Sequence, residues 1–110
     1  MATLDLLAIG RVSVDLYAEQ PGVTMSDVTT FRKSIGGTAT NVAVATARYG
    51  HRAAVATRVG DDQFGRYVAH ALEHTFGVDP RFVATHPTLK TPLAFAELDP
   101  PEDPTIIFYR

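Results

Sequence analysis

The sequence contains no cysteine and no tryptophan, and charge of neither sign dominates. Without cysteine, disulfide bonds and thiolate metal sites are excluded, which fits a cytoplasmic protein. The 10 lysines and arginines nearly balance the 12 acidic residues, giving a net charge of -2. Such a chain has no general attraction to nucleic acid or to an anionic membrane. The apolar run near the N-terminus is too short for a signal peptide or a membrane span. We therefore expect a cytoplasmic location and neither of those partners.

The chain does contain enough apolar residues for a core. Its 110 residues are 45% hydrophobic, which suits one small domain or a piece of a larger one. Residues 105–110 have the composition of a strand, and the sequence ends within that run. We expect the chain to be the N-terminal part of a longer domain.

The hydrophobic pattern divides the chain into strands and helices. A near-continuous apolar run at 4–10, ending in Gly10, predicts a parallel strand buried on both faces. Alternation of apolar and polar residues over 12–18 predicts a half-buried strand, and residues 23–30 are predicted as a loop. Further predictions are helices at 38–49 and 61–76, strands at 30–35, 53–59 and 82–85, and a hairpin of strands 91–98 and 105–110.

The order of these elements predicts an α/β fold. Strands and helices alternate over 4–85, as in βαβ units built on a parallel sheet. The alternating strands at 12–18 and 91–110 do not fit a sheet that is buried on both faces. We expect a main body of residues 1–11 and 36–90, and a separate small sheet of residues 12–35 and 91–110.

Residues 34–50 form the most informative segment. Gly36 and Gly37 allow a sharp turn and a close approach of a ligand. Thr38 is the predicted N-cap of the following helix, and Asn41 lies one turn further along. The free N–H groups of a helix start suit a ligand that carries hydroxyls or negative charge. A tight strand-to-helix turn that only serves packing explains the same residues.

Other polar residues have both a functional and a structural explanation. Asp15 is either a ligand-binding carboxylate or a plain surface residue, and Arg110 is either an anion-binding group or an exposed strand end. In the segment 60–65, Asp61 is predicted to cap the second helix. The sequence His70-Ala71-Leu72-Glu73-His74 matches a zinc motif, but helical geometry directs these side chains to solvent. We expect no metal site.

Three segments in this order resemble the ribokinase-like sugar kinases, the PfkB carbohydrate kinase family. They are residues 9–15, residues 36–43 and Val59-Gly60-Asp61-Asp62-Gln63-Phe64-Gly65. The resemblance implies a parallel-sheet sandwich with a small β-sheet lid that often serves as a homodimer surface. It also implies that sugar hydroxyls are bound by Asp15, Gly36, Gly37 and Asn41. Arg110 is then the candidate partner for a substrate carboxylate.

The resemblance also suggests a substrate and the location of the chemistry. Residues 9–17 and 107–110 most resemble family members that phosphorylate 5-dehydro-2-deoxy-D-gluconate in inositol catabolism, and next those acting on 2-keto-3-deoxygluconate. The family's Gly-Ala-Gly-Asp segment and Asn-x-x-Glu magnesium motif are not in these residues. We expect the ATP and Mg²⁺ sites and the catalytic base to lie C-terminal to this segment, which holds no catalytic residue and is expected to be inactive alone.

Two other classes of function remain open from the residues themselves. A chain of 110 residues is long enough to be a non-catalytic sugar-binding or dimerisation module. A nucleotide-binding Rossmann domain is disfavoured, because Gly10-Arg11-Val12-Ser13 follows the first strand where G-x-G-x-x-G would be required.

Overall fold

The computed structural model describes residues 3–110. Met1 and Ala2, which belong to the predicted main-body segment 1–11, lie outside the described residues. The elements, in chain order, are β1 (Leu6–Ile9), β2 (Ser13–Ala18), β3 (Phe31–Gly36), α1 (Thr38–Arg48), β4 (Ala53–Gly60), α2 (Gln63–His70), β5 (Val83–His86), β6 (Leu93–Glu97) and β7 (Thr105–Tyr109). A short 3₁₀ turn at Met25–Asp27 lies within the predicted loop 23–30. The predicted α/β class is confirmed.

The main sheet consists, within residues 3–110, of three parallel strands in the order β1-β4-β5. Leu6 pairs with Ala53 and Thr57 pairs with Val83. α1 lies between β1 and β4 along the chain and α2 lies between β4 and β5, although β2 and β3 are inserted between β1 and α1. The prediction of βαβ units is therefore confirmed.

One face of this sheet carries the core. Ala53, Val55 and Val59 of β4 pack with Ala43 of α1 and Val68 of α2 in a single buried cluster. Burial of such side chains stabilises the fold by about 25 cal/mol per Å² of apolar surface removed from water. Both helices thus cover the same side of the sheet.

The other face of the main sheet is exposed along β1. Leu7 and Ile9 of β1 point away from the core, with 45% and 79% of their surface exposed. The prediction that residues 4–10 form a strand buried on both faces is wrong for the described residues. The reason is that α1 and α2 both lie on the opposite side.

The second sheet has the order β3-β2-β6-β7 in the part of the chain that the structure describes. β2 pairs antiparallel with β3, and β6 with β7, which confirms the predicted hairpin. β2 and β6 are parallel, so they join two antiparallel pairs that are far apart in sequence. Val14, Ile35 and Leu93 connect this sheet to the core of the main body.

The second helix starts and ends differently from the prediction. Its N-cap is Asp62, whose Oδ1 accepts a hydrogen bond from the Gly65 backbone N–H at 2.8 Å. The prediction of Asp61 as the cap is wrong, since its exposed side chain pairs instead with Arg66 at 3.2 Å. After His70 the backbone continues as a π-helical turn, Ala71–Thr75, so the predicted helix 61–76 is an α-helix followed by a wider turn.

Candidate functional site

A cavity of about 790 Å³ lies between the four-stranded sheet and the carboxyl end of β1. The β1–β2 connection contributes Gly10 and Arg11, and the start of α1 contributes Gly37 and Thr38. The remaining walls come from β2, β6 and β7. Ligands of open α/β folds bind beyond the carboxyl ends of the strands, which is where this cavity is found.

Asp15 is the carboxylate of this cavity, on the face of β2 that points inward. Side chains two residues before and two residues after Asp15 donate hydrogen bonds to its carboxylate. Ser13 Oγ donates to Oδ1 at 2.7 Å, and the Tyr17 hydroxyl donates to Oδ2 at 3.5 Å. Burial raises the pKa of Tyr17, and the negative charge of Asp15 and this hydrogen bond raise it further. The carboxylate is thus fixed in one orientation with lone pairs left to accept from a ligand.

Gly36 gives the Asp15 carboxylate its space. It is buried at the end of β3, paired with Ser13, and a Cβ added there would collide with the Asp15 carboxyl group. Gly36 itself is not among the residues that line the cavity. Its contribution to the site is therefore made through Asp15.

Gly37 is the N-cap of α1 and has a φ of 102°, a conformation that favours glycine. A Cβ at this position would also collide with the Arg11 carbonyl oxygen. The prediction of Thr38 as the N-cap is wrong, because the helix already begins at Thr38 and no side chain caps it. The first-turn N–H groups have no intrahelical partner, and Thr38 and Ala39 line the cavity.

Asn41 lies outside the lining of the cavity. Its backbone N–H donates to the Gly37 carbonyl at 2.9 Å, and its side chain is exposed. The structure therefore brings Asp15, Gly37 and Arg110 together around the cavity, places Gly36 behind Asp15, and leaves Asn41 one turn along α1. Binding of a sugar by these residues stays a prediction.

Two guanidinium groups line the same cavity. Arg110 follows β7, and its guanidinium carbon lies 4.4 Å from the centre of the Phe108 ring. Arg11 approaches from the β1–β2 connection, and sequence reasoning missed it. Within residues 3–110, neither arginine forms a salt bridge with a carboxylate. With Asp15 as the acidic lining residue, the described walls carry an excess of one positive charge.

The Gly-Asp-Asp-Gln-Phe-Gly segment acts as a structural joint, and sequence reasoning missed its partner Thr91. The Thr91 hydroxyl donates to Asp62 Oδ1 at 2.7 Å, and its backbone N–H donates to Oδ2 at 3.0 Å. The same hydroxyl accepts from the Gly60 N–H at 3.0 Å. These bonds tie the start of α2 to the residues that lead into β6.

The hydrogen bonds also set the protonation of Asp62. Burial acts to raise its pKa, but donation by Thr91 and Gly65, with a smaller contribution from the charge of Lys90, outweighs burial. The pKa of Asp62 is therefore below its ordinary value. The joint is formed by an ionised carboxylate at neutral pH.

Among residues 3–110, no three side chains of histidine, aspartate or glutamate are grouped closely enough to hold a metal ion. His70, Glu73 and His74 of the predicted motif are exposed, with the two imidazole rings 4.7 Å apart. In the same range, no helix has the length and apolar character needed to cross a membrane.

The parallel main sheet, the small sheet beside it and the cavity between them have the arrangement of the ribokinase-like fold. The family model for PfkB carbohydrate kinases matches residues 3–110. This chain belongs to the PfkB family.

Curated relatives of this chain are considerably longer than the chain itself. It is 38% identical over 108 residues to the 5-dehydro-2-deoxygluconokinase of Geobacillus thermodenitrificans, an alignment that covers 97% of this chain and 32% of the relative. The enzyme of the same name from Bacillus subtilis is 36% identical over 107 residues, covering 96% of this chain and 33% of the relative. The chain thus spans about a third of these proteins.

Solved structures agree with the fold. A PfkB protein from Polaromonas sp. JS666 superimposes with a TM-score of 0.88 at 31% identity, covering 98% of this chain and 36% of the other. An uncharacterised sugar kinase from Pyrococcus horikoshii in complex with ATP gives a TM-score of 0.84 at 31% identity, covering 94% and 33%. The four-stranded sheet and the main sheet are therefore part of a known sugar-kinase fold.

Proposed function

We propose that this chain is the acceptor-binding part of an ATP-dependent sugar kinase whose substrate is a sugar acid. The first candidate substrate is 5-dehydro-2-deoxy-D-gluconate, in inositol catabolism, and the second is 2-keto-3-deoxygluconate. The observation that carries the proposal is the cavity in which the oriented Asp15 carboxylate and two arginines without salt bridges to described carboxylates line one space. The enzyme names of the 36–38% identical relatives support the same substrate.

In this proposal the negative and the positive side chains of the cavity bind different groups of the substrate. Asp15 accepts hydrogen bonds from sugar hydroxyls, since Ser13 and Tyr17 already fix its orientation. A guanidinium presents a planar pair of donors that matches a carboxylate. Arg110 is the proposed partner of the carboxylate, and Arg11 adds positive charge on the facing side of the cavity.

The small sheet serves in this proposal as a lid. Residues 12–35 and 91–110 cover the cavity, while residues up to 11 and 36–90 form the body that supports it. Closure of such a lid over the acceptor excludes water, which otherwise competes for the phosphoryl group. The described residues only bind and orient the acceptor and keep water out.

In this proposal the binding sites for ATP and Mg²⁺ lie in further polypeptide. Relatives three times as long carry additional residues, and a parallel sheet is normally covered on both faces. The open face with Leu7 and Ile9 is where that polypeptide packs. Phosphoryl transfer depends on positioning and charge stabilisation by groups of that region.

The outer face of the lid is the proposed homodimer surface of a cytoplasmic enzyme. Phe31, Phe95 and Tyr109 form an edge-to-face row on this sheet, and Phe31 and Tyr109 lie outside the lining of the cavity. Tyr109 remains 60% exposed. Light scattering of the purified protein tests this part, and a monomer at all concentrations contradicts it.

Phosphoryl transfer tests the central proposal. The protein is expressed from its complete reading frame, and ADP release is measured with sugar acids and with neutral sugars. We expect Arg110→Gln to lower kcat/KM for the acid at least tenfold, because a hydrogen bond to a charged group contributes about 1.5–3 kcal/mol. Arg52→Gln, at the opposite end of β4 and outside the cavity, is the matched control.

Two results contradict the proposal. Equal losses in Arg110→Gln for acid and neutral sugars mean that the residue does not bind a carboxylate. Sugar binding without ADP release from any tested acceptor indicates a non-catalytic sugar-binding module.

A further inference from the structure

We propose that Lys33 and Tyr67 form a contact that holds the lid away from the cavity, so that binding of a sugar has to break it. This inference rests on the proposed function, since it concerns the lid over the acceptor. Lys33 belongs to β3 of the lid, and Tyr67 belongs to α2 of the body. The Lys33 Nζ atom lies 4.5 Å from the centre of the Tyr67 ring. An ammonium group at this distance from an aromatic ring forms a cation–π pair.

This contact lies on the back of the lid, which is the face opposite the cavity. Successive side chains of a strand point to opposite faces, so Lys33 and Ile35 share one face of β3. Ile35 is buried in the core cluster that contains Val68 of α2, and this face is therefore turned towards the core and α2. Asp15 pairs with Ser34 and lies on the other face, which lines the cavity.

The front of the lid has no comparable link to the body. Within residues 3–110, no side-chain hydrogen bond or salt bridge runs from an inward-facing residue of the lid to the body. The side-chain hydrogen bonds between the two parts lie at the base of the lid, where Thr91 contacts Asp62 and Gly60. Above this base, Lys33 and Tyr67 connect the back of the lid to the body.

Closure of the lid breaks the pair. The lid is anchored at its base by Thr91, so a rotation that brings its inner face towards the body moves its back, with Lys33, away from Tyr67. The pair therefore stabilises the open state. A cation–π pair at an exposed site changes an equilibrium constant about two- to fivefold. The affinity for a sugar that is held by the closed lid is reduced by the same factor, because the closed fraction is the one that binds.

Dissociation constants of sugars test this inference. In protein from the complete reading frame, Lys33→Met removes the charge and keeps the length of the side chain. We expect it to tighten the binding of a sugar acid and of a neutral sugar about two- to fivefold, measured by calorimetry, because the pair acts on the lid and not on the ligand. Lys33→Arg keeps a cation over the ring and is expected to bind like the unmodified protein. Arg48→Met is the matched control, since it removes a cation–π pair with Phe76 that lies within the body.

Unfolding of the free protein provides a second measurement. Urea unfolding of Lys33→Met, of Tyr67→Leu and of the double variant gives the coupling between the two side chains. We expect a stabilising coupling that changes the unfolding constant about two- to fivefold. Lys33→Met is then slightly less stable than the unmodified protein and yet binds sugars more tightly. A residue that only supports the fold does not produce this combination.

The outcomes separate this inference from the proposed function. If the coupling is absent, or if Lys33→Met binds sugars no more tightly than the unmodified protein, the inference is overturned while the proposed function stands. If acid and neutral sugars bind equally well to the unmodified protein and both bind more tightly to Lys33→Met, the inference stands and the proposed preference for an acid fails. If no sugar binds, the proposed function fails and the inference falls with it.

Discussion

Replacing Thr91 by valine removes the centre of the joint between α2 and β6 at nearly constant side-chain volume. Thr91 is 4% exposed, and its hydroxyl makes two hydrogen bonds, to Asp62 at 2.7 Å and from Gly60 at 3.0 Å. The variant leaves the Gly60 N–H buried without its partner and Asp62 with one donor fewer. Every other contact of the Thr91 backbone, including its 3.0 Å bond to Asp62, is retained.

The expected loss of stability follows from these two bonds. A buried polar group left unpaired costs about 1–3 kcal/mol, and a hydrogen bond to a charged group contributes about 1.5–3 kcal/mol. Because the Asp62 carboxylate is only half-buried, water compensates for part of the lost hydrogen bond from the Thr91 hydroxyl. We expect a decrease of about 3 kcal/mol in the free energy of unfolding and a corresponding decrease in Tm.

Thermal and urea unfolding followed by circular dichroism measure this change. Thr91→Ser keeps the hydroxyl and is expected to recover most of the stability. Thr85→Val removes an exposed threonine hydroxyl from β5 and is expected to change stability by less than about 0.5 kcal/mol. A loss below about 1 kcal/mol in Thr91→Val, or an equal loss in Thr91→Ser, refutes the account of the joint.

Three further predictions concern the joint and the cavity. Because the pKa of Asp62 is lowered in the folded protein, its contribution to stability is complete above about pH 4–5 and is lost as pH falls through the lowered pKa. We expect Asp62→Asn to weaken this loss of stability at acid pH, measured by unfolding at a series of pH values. An unchanged pH dependence in the variant contradicts the role of Asp62. Gly36→Ala forces the Asp15 carboxylate out of place and is expected to weaken sugar-acid binding, measured by calorimetry, at least tenfold. Gly22→Ala is the control for glycine replacement, because a Cβ at Gly22 meets no other atom, and its φ of 79° adds only local strain. Asn41→Ala is expected to weaken sugar binding with the fold intact, as its side chain is exposed; unfolding of this variant would instead favour a packing role.

Much of the fold could be predicted because its signals are local. Apolar runs, alternation and glycines that end helices gave the order of strands and helices and the parallel main sheet. The parallel pairing of β2 with β6 joins residues about 80 positions apart in sequence, and no local pattern specifies it. The exposure of Leu7 and Ile9 likewise depends on which face the helices cover.

Residues that line the cavity could be predicted from the sequence where a single residue carries its own signal. Asp15, Gly37 and Arg110 line the cavity, but Arg11 had no motif that distinguished it from an ordinary surface charge. The choice between Asp61 and Asp62 as the cap depended on Thr91, which is 29 residues away from Asp62. Ser13 and Tyr17 could be inferred from strand alternation, because residues two apart share a face with Asp15.

The affinity of the protein for an acid sugar relative to a neutral one tests the central claim most directly. Isothermal titration of protein from the complete reading frame with 5-dehydro-2-deoxy-D-gluconate and with D-fructose gives both dissociation constants under one condition. The excess of positive charge around Asp15 predicts that the acid binds at least tenfold more tightly. Fructose binding as tightly as the acid, or more tightly, would contradict the account.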